Sequence, residues 1–238
     1  MISIIIPAYN EEKYIGTMLS RLKSLKLPHE VIVSDDKSTD RTVEIVRQHV
    51  DKVLTTETKH ATIAANRNYG AKEAHGEILV FLDVDHYIED YNEFFTAALK
   101  RFETTPDLVA LTGIFWVLPD METWADRVVY AIFNLTHIIK NNLLNAGEAP
   151  GKFQMIRKTA FDKVNGFRAD LVTREDADMF QRLAKVGKVH CDPKLKIYHS
   201  GRRAHAIGWP KLLTIWMVES FKFAFLGKSK IKEWTAVR

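Results

Sequence analysis

Cysteine is almost absent from this sequence: Cys191 stands alone among 238 residues, which excludes an internal disulfide framework. Long apolar runs are missing as well. Nowhere do about 18 apolar residues follow one another without a charge, so no membrane-crossing helix is expected. The opening run Ile2–Ile6 is too short for the apolar core of a signal peptide. Neither sign of charge dominates, with 34 basic and 30 acidic side chains and a net charge of +4. That balance suits an anionic substrate or a membrane surface and calls for no nucleic acid. No Gly-x-Gly-x-x-Gly follows the first apolar run, which disfavours a nicotinamide-binding domain. Internal repeats and low-complexity tracts are also lacking. These absences leave a globular, cytoplasmic protein as the expectation, for which the Asn134-Leu135-Thr136 sequon is irrelevant. With 46% hydrophobic and 27% charged residues the chain can build a sizeable core.

What is present centres on Glu77 to Tyr87, EILVFLDVDHY. Ile78–Leu82 is short, unbroken and rich in branched and aromatic residues, the pattern of a strand buried on both faces. Asp83 and Asp85 follow it. If the strand geometry continues, both carboxylates leave on one side. Such a pair needs hydrogen bonds or a cation. Mg2+ takes one or two carboxylates and completes its shell with substrate phosphates and water, so a metal–diphosphate site is one reading. A turn cap at Asp83 and a solvated Asp85 are the other.

The chain alternates strands and helices. Ser3–Pro7 reads as a strand, and Asn10 as the cap of a helix with Ile15, Met18, Leu19, Leu22 and Leu25 on one face. Val31–Ser34 is a second strand, ending in Asp35 and Asp36. A helix bearing Val43, Val46 and Val50 follows, then a third strand over Lys52–Thr55 and a helix over Ala61–Ala74. This pattern predicts an α/β fold, a mostly parallel sheet flanked by helices, with ligands bound beyond the carboxyl ends of the strands. Tyr9, Asp35, Asp36, Asp83 and Asp85 all fall at such ends. Further on, Tyr91–Phe102 reads as a core-facing helix and Leu108–Thr112 as a strand. Trp116–Ala149 changes character, with a helical pattern from Val128 to Leu144 and a Gly-Glu-Ala-Pro-Gly loop, and reads as an insertion or lid. Phe153–Ile156 and Leu195–His199 read as strands, with a helix over Asp176–Ala184 between them. The division expected is a domain over 1–208, with 116–150 as an acceptor-side elaboration, followed by 209–238. There a hydrophobic helix from Trp209 to Leu226 carries Trp216, Phe221, Phe223 and Phe225, with Lys222, Lys228, Lys230 and Lys232 nearby. It suits docking on the core or a partner, or a membrane interface.

Four motifs in order, SIIIPAYNEEKYI, VIVSDDKSTDRTVEI, NRNYGAKEAHGEILVFLDVD and TREDADMFQRL, resemble the family 2 glycosyltransferases. The likeness runs in register over roughly residues 1–200. It implies a GT-A fold and sugar transfer, with inversion, from a nucleotide diphosphate donor that is UDP- or GDP-linked. By this resemblance Pro7, Ala8, Tyr9 and Glu11 line base and ribose, Tyr9 serving equally as a packing residue. Asp35 is implied at the base with Asp36 nearby, while Asp36 and Asp40 also suit helix caps. The family more often has Gly where Lys37 stands. Arg67 is implied to face phosphate, or is a solvated helix charge. Asp83-Val84-Asp85 matches the family's DxD, with Asp85 the firmer ligand of Mg2+ or Mn2+ and Asp83 a second ligand or a ribose contact.

His199, in IYHSGRR, resembles a histidine that some relatives use as a further metal ligand, and otherwise is structural. His86 is expected at the surface. Glu175-Asp176 matches the late acidic pair. The resemblance makes Asp176 the base that takes the acceptor's proton, with Glu175 second, although a helix cap is an equal use of the pair. A helix N-terminus would depress such a carboxyl's pKa. Arg202 and Arg203 can reach phosphate. No QxxRW motif is present, which favours single transfer over processive synthesis. A lipid-linked acceptor such as a polyprenyl phosphate or glycolipid, and a place on the membrane's cytoplasmic face, extend the expectation. The rivals are a non-catalytic nucleotide-sugar or glycan-binding module, and a haloacid-dehalogenase-type phosphatase with Asp83 as nucleophile and Asp85 as acid.

Overall fold

The computed structural model describes residues 1–50, 52–56 and 62–226; Lys228, Lys230 and Lys232 lie outside the described residues, as do the side chains of Phe221, Lys222, Phe223 and Phe225. Strands β1 (Ile2–Ala8), β2 (His29–Asp35), β3 (Val53–Thr55), β4 (Ile78–Leu82), β5 (His86–Tyr87), β6 (Leu108–Val117), β7 (Phe153–Arg157) and β8 (Lys188–His199) form one sheet. Its order is β3-β2-β1-β4-β7-β6-β8-β5. β1 pairs in parallel with both β2 and β4, and β6 with β8. β7 runs antiparallel to both neighbours, and β5 antiparallel to β8. The sheet is therefore mixed and mostly parallel, as the sequence pattern predicts.

The unbroken apolar strands follow from helices on both faces. Ile2, Ile4 and Ile6 of β1, with Val80 and Leu82 of β4, face one layer. That layer is made by α1 (Ile15–Leu22), α2 (Thr42–Arg47) and α4 (Tyr91–Thr104). Ile5, Leu79 and Phe81 point the other way, against α3 (Ile63–Lys72), α6 (Lys158–Lys163) and α7 (Glu175–Leu183). Side chains alternate along a strand, so both sets must be apolar. At the other edge α5 (Trp124–Ile138) runs into a π-helical turn over Ile139–Leu143. Its Val129, Tyr130 and Phe133 pack on α8 (Arg202–Ile207) and α9 (Trp209–Leu226).

Several boundaries differ from the sequence expectation. α1 starts at Ile15 with Tyr14 at its cap position and no side-chain bond there. Asn10 is not the cap: it adopts a left-handed φ of 51°, and its Oδ1 accepts from the Thr39 N–H at 2.7 Å, tying two loops together. β6 continues five residues past Thr112, because β8 pairs with it all the way to Val117↔His199. β8 itself begins at Lys188, well before Leu195, and takes Pro193 in stride at a register shift opposite Gly113/Ile114. α5 starts four residues before Val128, at Trp124, behind a Thr123–Asp126 capping box.

Candidate active site

A cavity of about 730 Å³ opens beyond the carboxyl ends of β1 and β4. The end of β1 supplies Pro7 and Glu11, and the turn after β4 supplies Asp83, Val84 and Asp85. Gly151 and Lys152 enter from the segment before β7, Glu175 and Asp176 from the first turn of α7, and His199 and Arg202 from the end of β8 and start of α8. β4 stops at Leu82, so strand alternation does not aim the aspartates. The turn does, and both still meet one cation. The Lys152 ammonium contacts an oxygen of Asp85 and lies 3.9 Å from Asp83 Oδ2, and Arg202 Nη2 stands 3.3 Å from the other Asp85 oxygen. Burial works against ionising Asp85, but Lys152, then Arg202 and His199, outweigh it and hold the carboxyl at about 2.

The second acidic group surrounds Arg67. This side chain is 1% exposed, and its Nη1 donates to Asp176 Oδ1 at 2.6 Å and Glu175 Oε1 at 3.3 Å. Nη2 donates to Asp83 Oδ1 and to the Gly151 carbonyl, both at 3.0 Å. Burial opposes the charge of Arg67, yet Asp176, Asp83 and Glu175 together raise its pKa. It is a buried anchor of three carboxylates at the cavity wall rather than a solvated helix charge. The carboxyls respond in the opposite sense to the helix-terminus expectation. Burial raises both, and Glu175, beside Asp176, rises well above its ordinary value. Arg174 occupies the cap position of α7 with a left-handed φ of 66°, so both acids sit in the first turn. Gln154 Nε2 adds a bond to Asp176 Oδ1 at 2.7 Å.

Other expected site residues stand apart from this cavity. Tyr9 is 43% exposed just past β1, while Ala8 is buried and its carbonyl accepts from the Asp36 N–H at 2.8 Å. Asp35 is buried at the end of β2 and accepts from the Ser38 N–H at 3.0 Å; Asp36 accepts from Thr56 Oγ1 at 3.0 Å. The four share the sheet edge beside the cavity. Lys37, where the resemblance expects Gly, has a φ of 57°, the backbone region that favours glycine. His86 is not a surface residue. It is buried because β5 pairs it with His199, and its Nε2 bonds the Tyr91 hydroxyl at 2.8 Å.

Lys152, Gln154 and Arg174 were not anticipated. Arg174 falls within the motif TREDADMFQRL and Gln154 within the expected strand Phe153–Ile156, but only proximity to the Gly-Glu-Ala-Pro-Gly loop points to Lys152. That loop closes the site rather than capping it from afar: a Cβ on Gly151 would stand 2.6 Å from Asp176 Oδ2 and 2.9 Å from Arg67 Nη2.

The donor set suits a hard divalent cation of a particular kind. Asp83 and Asp85 both face the Lys152 ammonium, which contacts Asp85 and lies 3.9 Å from Asp83 Oδ2. Among the described residues no group of three or more His, Cys, Asp or Glu side chains comes together to hold a metal. His199 Nδ1 instead accepts from the Gly201 N–H at 3.1 Å, and burial, then Lys152, lowers its pKa to about 4. A fit therefore exists for Mg2+ or Mn2+ on two carboxylates, completed by phosphate and water.

A doubly wound sheet with a cavity of mixed charge beyond its strand ends is the architecture of an α/β protein of the GT-A type, the fold of its structural neighbours. The model of Glycosyl transferase family 2 matches residues 3–164, and the chain belongs to that family. Because the match runs through Asp83 and Asp85, it sets the phosphatase rival aside. Over 93 residues the chain is 41% identical to the poly(ribitol-phosphate) β-N-acetylglucosaminyltransferase TarS of Staphylococcus aureus, covering 36% of this chain and 16% of that one. Over 184 residues it is 28% identical to the poly-β-1,6-N-acetyl-D-glucosamine synthase of Staphylococcus epidermidis, covering 74% and 44%. The chain thus spans less than half the length of these relatives. In fold it resembles the mannosyltransferase PcManGT of Pyrobaculum calidifontis, a complex with GDP-Man and Mn2+: TM-score 0.76 and 19% identity over 94% of this chain and 64% of that one. A TarS fragment in complex with UDP-GlcNAc gives a TM-score of 0.65 and 24% identity over 83% and 57%.

Proposed function

We propose that this chain transfers a hexose, with inversion, from a UDP- or GDP-linked sugar to an acceptor hydroxyl or phosphate. The observation that carries the proposal is one cavity holding two acidic groups with different charge environments. Around Asp83 and Asp85, Lys152 and Arg202 provide fixed positive charge at the cavity wall, suited to the diphosphate that departs. Mg2+ or Mn2+, held there by Asp85 and Asp83, would act as a Lewis acid for that leaving group. Structural neighbours in complex with GDP-Man and Mn2+ and with UDP-GlcNAc support this reading.

Around Arg67, Asp176 takes the acceptor proton. Its carboxyl is raised by burial, so its conjugate base is stronger than an exposed aspartate, while Arg67 and Gln154 fix its direction. Glu175 lies beside it, its carboxyl held well above the ordinary value by burial and by the charge of Asp176. The acceptor is lipid-linked, a polyprenyl phosphate or a glycolipid. The apolar part of the cavity wall, with Phe115, Tyr130, Phe133, Leu213 and Trp216, supports that class. Asp176→Asn tests the reading: donor affinity stays within about threefold of wild type while transfer falls by at least about a hundredfold. Transfer at the wild-type rate would remove Asp176 as base, and lost donor binding would reassign it to binding. A protein that binds donor but transfers to no hydroxyl or phosphate acceptor, lipid or soluble, would instead be a binding module.

A further inference from the structure

α5 is apolar on two sides. Val129, Tyr130 and Phe133 pack inward on α8 and α9, yet Trp124, Val128, Ile132 and Leu135, continued by Ile139 and Leu143 in the π-helical turn, form a second stripe at three- and four-residue spacing. That stripe is exposed: Trp124 is 80%, Ile132 and Leu135 58%, and Leu143 76% accessible. At 1.5 Å per residue it is about 30 Å long. Apolar side chains on the outer as well as the inner face of a helix are more than packing on the core requires, and a contiguous patch of this size on a protein surface marks an interaction site.

We infer that the outer stripe of α5 is the surface by which this protein lies on an anionic lipid bilayer. The inference rests on the lipid-linked reading of the acceptor and gives it a geometry. Among the described residues no helix is long and apolar enough to cross a membrane, so the contact is with the interface. Position favours lipid, because the same helix lends Tyr130 and Phe133 to the cavity wall, so a bilayer on its outer face lies one helix away from the cavity. Charge favours it too. The chain carries +4, and Lys228, Lys230, Lys232 and Arg238 stand against Glu233 alone in the last twelve residues. An anionic surface attracts these groups, whereas a second copy of the chain repels them.

Flotation of the full chain with phosphatidylcholine vesicles, with and without phosphatidylglycerol, tests the inference alongside sedimentation of the protein alone. Wild type is expected to bind the anionic vesicles, more weakly at high salt. Ile132→Ser with Leu135→Ser is expected to lower that partition at least about tenfold while leaving melting temperature and nucleotide binding unchanged, since neither residue lines the cavity. Absence of vesicle binding by wild type, or equal binding by the double variant, would overturn the inference. A wild-type dimer that the double variant abolishes would also overturn it, in favour of a second copy. Vesicle binding is read without any sugar transfer. Binding without transfer to lipid acceptors would retire the acceptor reading and leave the surface standing.

Discussion

Arg67→Met removes a guanidinium of similar reach while leaving Asp83, Glu175 and Asp176 gathered in a largely buried space. Two buried carboxylates, already raised, lose their common counter-charge, and the Gly151 carbonyl loses a donor. Breaking a buried ion pair by removing one partner costs about 3–5 kcal/mol. In a chain of this size that lowers Tm by about 6–20 °C. The pH dependence has a definite sign. Glu175 and Asp176 have folded-state pKa values above their unfolded ones, so the native state holds more protons and stability falls as pH rises through that interval. Without Arg67 both values climb further, and the deficit deepens at alkaline pH. Urea unfolding at about pH 5 and about pH 8 is expected to show the larger deficit at the higher pH. A deficit below about 1 kcal/mol, or one independent of pH, would refute the view that Arg67 is the electrostatic anchor of the site.

Gly151→Ala places a methyl 2.6 Å from Asp176 Oδ2. Transfer is expected to drop at least about tenfold through displacement of that carboxylate, in an assay where donor binding is measured separately and persists. Asn134 Nδ2 donates to the Phe115 carbonyl and Oδ1 accepts from the Phe115 N–H, each at 2.9 Å, fastening α5 to β6 in the interior. Asn134→Ala leaves both backbone groups unpaired, and urea unfolding should show a loss of about 1–3 kcal/mol for each; a total under about 0.5 kcal/mol would mean water replaces the side chain.

The central fold was legible because its cause is local. β1 and β4 are short apolar runs bounded by polar turns, and their two-sided burial follows from the absence of alternation. The aspartates were legible as the residues after such runs, although the turn that aims them was not. What escaped depends on partners distant in sequence. The burial of His86 comes from pairing with His199, more than a hundred residues on, and the length of β8 from β6 beside it. Arg67 looks like any helix arginine until Asp83, Glu175 and Asp176 converge on it. Lys152 and Arg174 sit on irregular backbone, where no periodicity announces a direction. The capping of α5 by Thr123 and Asp126 was local but used Asp where the commoner box has Glu or Gln.

The claim that Asp83 and Asp85 form a metal-assisted donor site is tested most directly by calorimetric titration with UDP, GDP and their sugars. Each titration is run with Mn2+ and with EDTA, on wild type and on Asp85→Ala. The account predicts that one nucleotide binds, that EDTA abolishes or strongly weakens the binding, and that Asp85→Ala loses it while remaining folded. Binding that survives both EDTA and the substitution, or a folded wild type that binds none of the nucleotides, would contradict it.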